Sequence, residues 1–174
     1  MNWEYCPYCG GNLRKEVDKS ICESCSKHHY ENPKSSVGVF LFDEEGRLVL
    51  AVRGLEPHRG KWAAVGGFVA IGESLEEAAL REVKEETECN LGVDTTQLEY
   101  LASVYIEVAF MGYVTPVEVT IFGAKILSDH LEPHDDVSGF VRLTEDECDS
   151  KKIAWSKEMV PLVHSAFKWF KQNL

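Results

Sequence analysis

The chain has 174 residues with 29 acidic and 18 basic side chains, a formal net charge of −11 with histidine neutral. That balance argues against nucleic acid as a partner, because broad binding draws on lysines and arginines that displace counterions. No apolar run approaches the ~20 residues needed to cross a bilayer, so no membrane partner is expected either.

The chain opens with Cys6-Pro-Tyr-Cys9 and Cys22-Glu-Ser-Cys25, two CxxC pairs separated by twelve residues. This is the spacing of a structural site that closes four thiolates around Zn²⁺. Disulfides are the competing reading. Nothing resembling a signal peptide precedes Cys6, which favours a reduced, cytoplasmic chain in which paired CxxC motifs mean metal or redox chemistry. Two pairs without a βαβ pattern favour metal. Residues 1–33 are therefore expected to form a small zinc ribbon, too short to hold a core unaided, and residues 34–174 the main domain. His28-His29 is expected at the surface, and Cys89 and Cys148 as buried thiols.

Val37–Phe42 and Arg47–Arg53 read as strands joined by the turn Asp43-Glu44-Glu45-Gly46. A loop over 54–62 follows, containing His58, Arg59, Lys61 and Trp62. Gly66-Gly67 then allows close approach of backbone to a ligand, and a main-chain carbonyl at Gly67 is a candidate metal ligand.

Next, Ser74 with Glu77 three residues on makes a capping box and predicts a helix over 74–89. On that helix Glu82, Glu85 and Glu86 stand at i, i+3 and i+4, on one face. Like charges at that spacing repel by a few tenths of a kcal/mol per pair, roughly. Leu75, Ala78 and Ala79 share their stripe, so the acids should turn inward and need a partner. A divalent cation such as Mg²⁺, or Mn²⁺ in its place, fits that need, since hard ions take carboxylate oxygens. Arg81, four residues from both Glu77 and Glu85, should brace the edge.

Downstream, Tyr100–Val114 and Val117–Leu127 read as long strands around a Thr115-Pro116 turn, and Val137–Leu143 as a shorter one. Ser156 is expected to cap a final helix with Val160, Val163, Phe167 and Phe170 as its buried stripe. Strands with two helices suggest an α/β fold, an α/β/α sandwich around a mixed sheet.

Gly67, Glu73 after five residues, and Arg81-Glu82-x-x-Glu85-Glu86 after seven more resemble the signature of the Nudix hydrolases. The resemblance implies the same α/β/α fold and a Mg²⁺-dependent hydrolase. It implies Gly67, Glu82, Glu85 and Glu86 as metal ligands, Glu82 as the usual candidate base, and Arg81 in the catalytic set. Glu107 and Glu118 are further carboxylates on the later strands. The ribbon and Tyr30-Glu31-Asn32-Pro33 are similar to those of zinc-ribbon members such as the NADH pyrophosphatases. That implies a nucleotide-derived substrate, ADP-ribose, FAD or NADH-like, and by analogy a homodimer. Nucleoside triphosphate pyrophosphatase and non-catalytic nucleotide sensor are the alternatives. Arg53, Trp62 and Tyr105 are candidate substrate-binding residues, with His58, Arg59 and Tyr113 behind them.

The chain departs from the pattern in two places. Val65 stands where many members have proline. Glu88 stands where the family usually has a glycine that ends the helix in a left-handed conformation. Glutamate there costs about 1 kcal/mol or more and opposes the helix dipole. The helix is therefore expected to run on to Asn90.

Overall fold

The computed structural model describes residues 3–89, 98–110, 112–127 and 130–173. The chain divides into two compact units, Met1–Lys34 and Ser35–Leu174.

In the first unit β1 (Leu13–Lys15), β2 (Lys19–Cys22) and β3 (His28–Tyr30) form an antiparallel sheet in that order. Almost nothing apolar is buried: among residues 3–34 only Cys6, Ser20 and Cys22 are. The two CxxC segments fold alike. Gly10 N–H donates to the Cys6 carbonyl and Ser26 N–H to the Cys22 carbonyl, at 2.8 and 2.9 Å. All six cysteines are free thiols. The expectation for His29 fails. Its ring stacks on Tyr8 at 5.6 Å and meets the edge of Trp3 at 6.1 Å, and its Nε2 lies 3.4 Å from the Cys6 sulfur.

The second unit is built on a six-stranded mixed sheet. Its strands are β4 (Lys34–Phe42), β5 (Leu48–Arg53), β6 (Trp62–Ala63), β7 (Glu99–Phe110), β8 (Tyr113–Lys125) and β9 (Val137–Leu143). The order is β6-β5-β4-β8-β7, and β9 pairs with β5. Leu48 and Val49 of β5 pair with β4, Ala51 and Val52 with β6, and β9 runs antiparallel to β5 from Leu48 to Arg53.

Both faces of the sheet are apolar because both are covered. Val37, Val39 and Leu41 of β4 pack with Ala78, Ala79 and Val83 of α1 (Leu75–Thr87). The alternate residues Phe40 and Phe42 pack with Val163, Phe167 and Phe170 of α2 (Ser156–Gln172). The period-2 alternation of a strand thus produces the two layers of the expected sandwich.

Three expectations are corrected. The long hairpin does not turn at Thr115-Pro116, which pair in register with Val108 and Glu107. Phe110 faces Tyr113 across a two-residue connection in which Gly112 has φ 81°, while Met111 lies outside the described residues. Ser156 does not cap α2 but is its first helical residue, the cap position being held by Trp155 at φ 47°. And α1 stops at Thr87, because Glu88 itself adopts the left-handed conformation at φ 58°, ψ 1°. Asn90, the expected end, lies outside the described residues.

Candidate active site and thiol cluster

The capping box forms as read: Ser74 Oγ accepts from the Glu77 amide at 3.1 Å, and Glu77 Oε2 accepts from the Ser74 amide at 2.8 Å. It fixes the start of α1 and hence the azimuth of every later side chain. Glu82 and Glu86 are buried, 8% and 5% exposed, whereas the Glu85 side chain is 52% exposed. The three carboxylates are therefore split two inward and one at the rim. At 100° per residue Glu82 and Glu86 share an azimuth more closely than either shares it with Glu85.

Arg81 spends all five of its N–H donors in place. Nε and Nη2 hold Glu73 at 2.7 and 3.0 Å, and Nη1 reaches Glu82 Oε1 at 2.7 Å and Glu85 Oε2 at 2.9 Å. Nη2 also donates to the Phe68 carbonyl at 3.0 Å. The guanidinium holds Glu73 down to about 2, with the Ala70 amide assisting. Arg81 thus braces Glu85 as expected, but its other acids are Glu73 and Glu82, while Glu77 is occupied by the cap.

The Gly66-Gly67 backbone runs against β4. Gly66 has φ 151°, and a Cβ there would fall 2.1 Å from the Val37 carbonyl oxygen. A Cβ at Gly67 would fall 2.5 Å from Glu82 Oε1. Only glycine permits both approaches. The Gly66 amide donates to Glu86 Oε2 at 3.1 Å. The Gly67 carbonyl accepts from the Val37 amide at 2.9 Å and from Ser36 Oγ at 2.7 Å. Both of its lone pairs are engaged, so coordination by Gly67 would require the Ser36 hydroxyl to rotate away.

Asp136, which sequence reasoning missed, completes the cluster. Its carboxylate lies near enough to Glu86 and Glu82 that its charge raises the pKa of both. Burial, opposed by the Gly66 amide and reinforced by Asp136 and Glu82, lifts Glu86 to about 9. Burial also raises Glu82, against the pull of Arg81. Buried acids that repel one another in this way fit a cation: a divalent ion would remove the reason for both shifts.

The pH consequence has a definite sign. A carboxyl raised from 4.5 to about 9 binds more protons folded than unfolded, so it contributes stability that is lost as pH rises through that range. In metal-free protein Glu86 is expected to lower the melting temperature between pH 5 and 9. Added Mg²⁺ should stabilise more at pH 9 than at pH 5, because it binds the ionised form. Equal Mg²⁺ shifts at both pH values in calorimetric melts would contradict this.

Beside the acids lies a cavity of about 200 Å³ between the sheet and α2, lined mainly by apolar side chains. Gly66, Gly67 and Asp136 line it, as do Arg53 and Trp62, two of the three candidate substrate-binding residues. The third, Tyr105, does not. It is exposed and donates to Glu107 at 3.3 Å. Ile106 and Val108 line the cavity, and strand alternation turns Tyr105, Glu107 and Ala109 to the other face. Glu118, opposite Tyr105, is also exposed, as are Arg59 and Tyr113. Trp155 is the second residue missed. It lines the cavity, with the Arg53 guanidinium 5.1 Å over its ring and His58 edge-on at 4.8 Å. Burial, then the charges of Arg53 and Lys61, lower the His58 pKa.

In the first unit the sulfurs of Cys6, Cys9, Cys22 and Cys25 all lie within 4.8 Å of one another. Cys9 to Cys22 is 3.4 Å and Cys6 to Cys25 is 3.8 Å. Tetrahedral thiolates at the usual Zn–S distance stand about 3.8 Å apart. The Cys25 amide approaches Cys22 Sγ at 3.4 Å and leads the set of N–H groups that bring that thiol down to about 6.

Residues 32–163 match the NUDIX domain family. The chain belongs to the Nudix hydrolases. This Nudix chain is 28% identical over 135 residues to the NAD-capped RNA hydrolase NudC of Pseudomonas aeruginosa strain LESB58, covering 76% of this chain and 44% of that protein. It is 27% identical over 142 residues to NudC of Escherichia coli O1:K1 / APEC, covering 77% and 53%. The chain thus spans about half the length of these curated relatives. Among solved structures, a NUDIX hydrolase from Nitrosomonas europaea superposes with a TM-score of 0.67 at 26% identity, covering 92% of this chain and 88% of that one. The NUDIX domain of Shewanella oneidensis NrtR complexed with ADP ribose superposes at 0.65, covering 80% and 89%, and at 20% identity shares the fold. No helix among the described residues is long and apolar enough to cross a membrane.

Proposed function

We propose that the Nudix unit hydrolyses the diphosphate of a nucleoside diphosphate linked to another moiety, with ADP-ribose, FAD and NADH-like dinucleotides as the leading class. The observation that carries this reading is the meeting, at Gly66-Gly67, of a buried acidic cluster with an apolar cavity. With a divalent cation held on those acids, a ligand that fits both is anionic at one end and flat and largely uncharged at the other.

Glu82, Glu86 and Asp136 would hold Mg²⁺ or Mn²⁺, with Glu85 at the rim. Such an ion, when bound, neutralises phosphate oxygens and acidifies water. Glu82, held by Arg81 and by the close approach of Gly67, would take a proton from the attacking water. Arg81 is a positioning group, since all its donors are already satisfied by protein. Trp62 and Trp155 offer ring faces to a base, and Arg53 a positive charge at the cavity wall. The apolar lining limits water in the pocket.

The thiol cluster fits one structural Zn²⁺, with every position filled by sulfur. Its free thiols support a reducing, cytoplasmic setting; a homodimer stays an analogy. The exclusion of nucleic acid narrows. Net charge speaks to broad polyanion binding, whereas relatives are named for capped RNA, whose reacting diphosphate is a dinucleotide end.

The test is product analysis with purified protein and Mg²⁺ against ADP-ribose, FAD, NADH, nucleoside triphosphates and an NAD-capped oligoribonucleotide. Mononucleotide release from a dinucleotide is expected. Pyrophosphate release from triphosphates alone would move the assignment to the alternative enzyme class. Nucleotide binding without turnover would make the unit a sensor.

A further inference from the structure

We infer that Glu88 and His134 form a latch that holds Asp136 at the acidic cluster, making Glu88 a positioning residue. The inference rests on the hydrolase reading above.

Glu88 is a local liability. At φ 58° it occupies a conformation that costs a glutamate about 1 kcal/mol more than a glycine, and it sets a negative charge at the C-terminal end of a helix. Its side chain is more than half exposed, so burial does not offset these costs. What it does have is one partner: His134 Nε2 lies 2.9 Å from Glu88 Oε1.

His134 belongs to a segment bonded to the end of α1. The His134 amide donates to the Glu86 carbonyl at 3.1 Å and the Glu132 amide to the Thr87 carbonyl at 3.3 Å. These carbonyls are orphans of the last helical turn, and the left-handed cap at Glu88, whose amide closes on the Lys84 carbonyl, does not reach them. Here a segment more than 40 residues downstream satisfies them. A tight turn follows, with the Val137 amide bonded to the His134 carbonyl at 3.1 Å and Asp135 at φ 53°. Beyond it the Gly54 amide holds the Asp136 carbonyl at 2.6 Å. Asp136 is thereby presented to Glu86 from a turn fixed at both ends, and the Glu88–His134 contact is the side-chain half of the α1 anchor.

A surface pair with no such role predicts something different. It is worth at most about 1 kcal/mol and would not reach the cluster. Glu88→Gly separates the two cases, because it relieves the local costs while removing the latch. The expected result is a melting temperature equal to or above wild type, with Mg²⁺ affinity by calorimetry reduced about tenfold, the low end for losing a partner behind a ligand. Amide exchange across 132–136 should be faster, and turnover should recover at saturating Mg²⁺. Glu88→Gln, which keeps an acceptor for His134, should restore most of the affinity. Unchanged Mg²⁺ affinity and exchange in Glu88→Gly would overturn the latch, as would an equal loss in Glu88→Gln. Calorimetry and exchange need no turnover, so a wild type inactive on every diphosphate would sink the hydrolase reading and leave the latch to its own test.

Discussion

Glu82→Gln is expected to reduce kcat by about 10²–10⁴-fold while leaving the melting temperature equal or raised. Glutamine keeps the shape that packs against Gly67 and can still accept from Arg81, so the fold loses little. It removes a charge that burial already disfavours, which is why stability should not fall. What disappears is the capacity to take a proton and to hold a cation. Glu85→Gln is the matched control, because its side chain is half exposed and tied to Arg81 at the rim. Its loss should be an order of magnitude or more smaller. Equal losses in the two variants, at saturating Mg²⁺, would show that burial does not rank the carboxylates, and the role assigned to Glu82 would fall.

The second large effect concerns the first unit. Purified protein is expected to carry one zinc per chain, and a strong chelator or Cys22→Ser should strip protection from the amides of residues 3–34. Apolar burial there is too slight to hold three short strands: Cys6, Ser20 and Cys22 are the buried side chains, and Val17 is fully exposed. Metal binding by such peptides supplies on the order of 10–16 kcal/mol, and in small ribbons that is the folding free energy. Cys22 is the most informative site because it is buried and the amides around it already favour its thiolate. Metal-free protein with undiminished exchange protection across 3–34 would refute the zinc assignment.

What the sequence made legible is what local spacing determines. The capping box, the azimuth of Glu82 and Glu86, the Arg81–Glu85 brace and the two CxxC pairs all lie within one or two turns of chain. The two-faced sheet was legible too, since each strand writes its own alternation. Pro116 misled because proline marks turns more often than strands. The true turn has glycine at Gly112, and Pro116 sits in β8 opposite Glu107. Asp136 and Trp155 were invisible for a different reason. Each reaches the site through tertiary placement, Asp136 by the 132–137 turn and Trp155 by the connection before α2, and no spacing in the sequence encodes either. Glu88 is a cost but not a barrier: about 1 kcal/mol is within what a partner and two backbone bonds can offset. Adjacent histidines carry no spacing signal, and the packing of His29 comes from Trp3 and Tyr8 across the ribbon.

The pair Gly66-Gly67 touches the acids on one side and lines the apolar cavity on the other, so a substrate of the proposed class would grip the protein by two unlike handles joined through the bond to be cut. Linked handles raise each other's local concentration, and severing the link removes that advantage at once. Each fragment then keeps a single foothold. Products should therefore inhibit weakly even at concentrations well above the substrate's KM, and departure of the fragments should not limit the cycle.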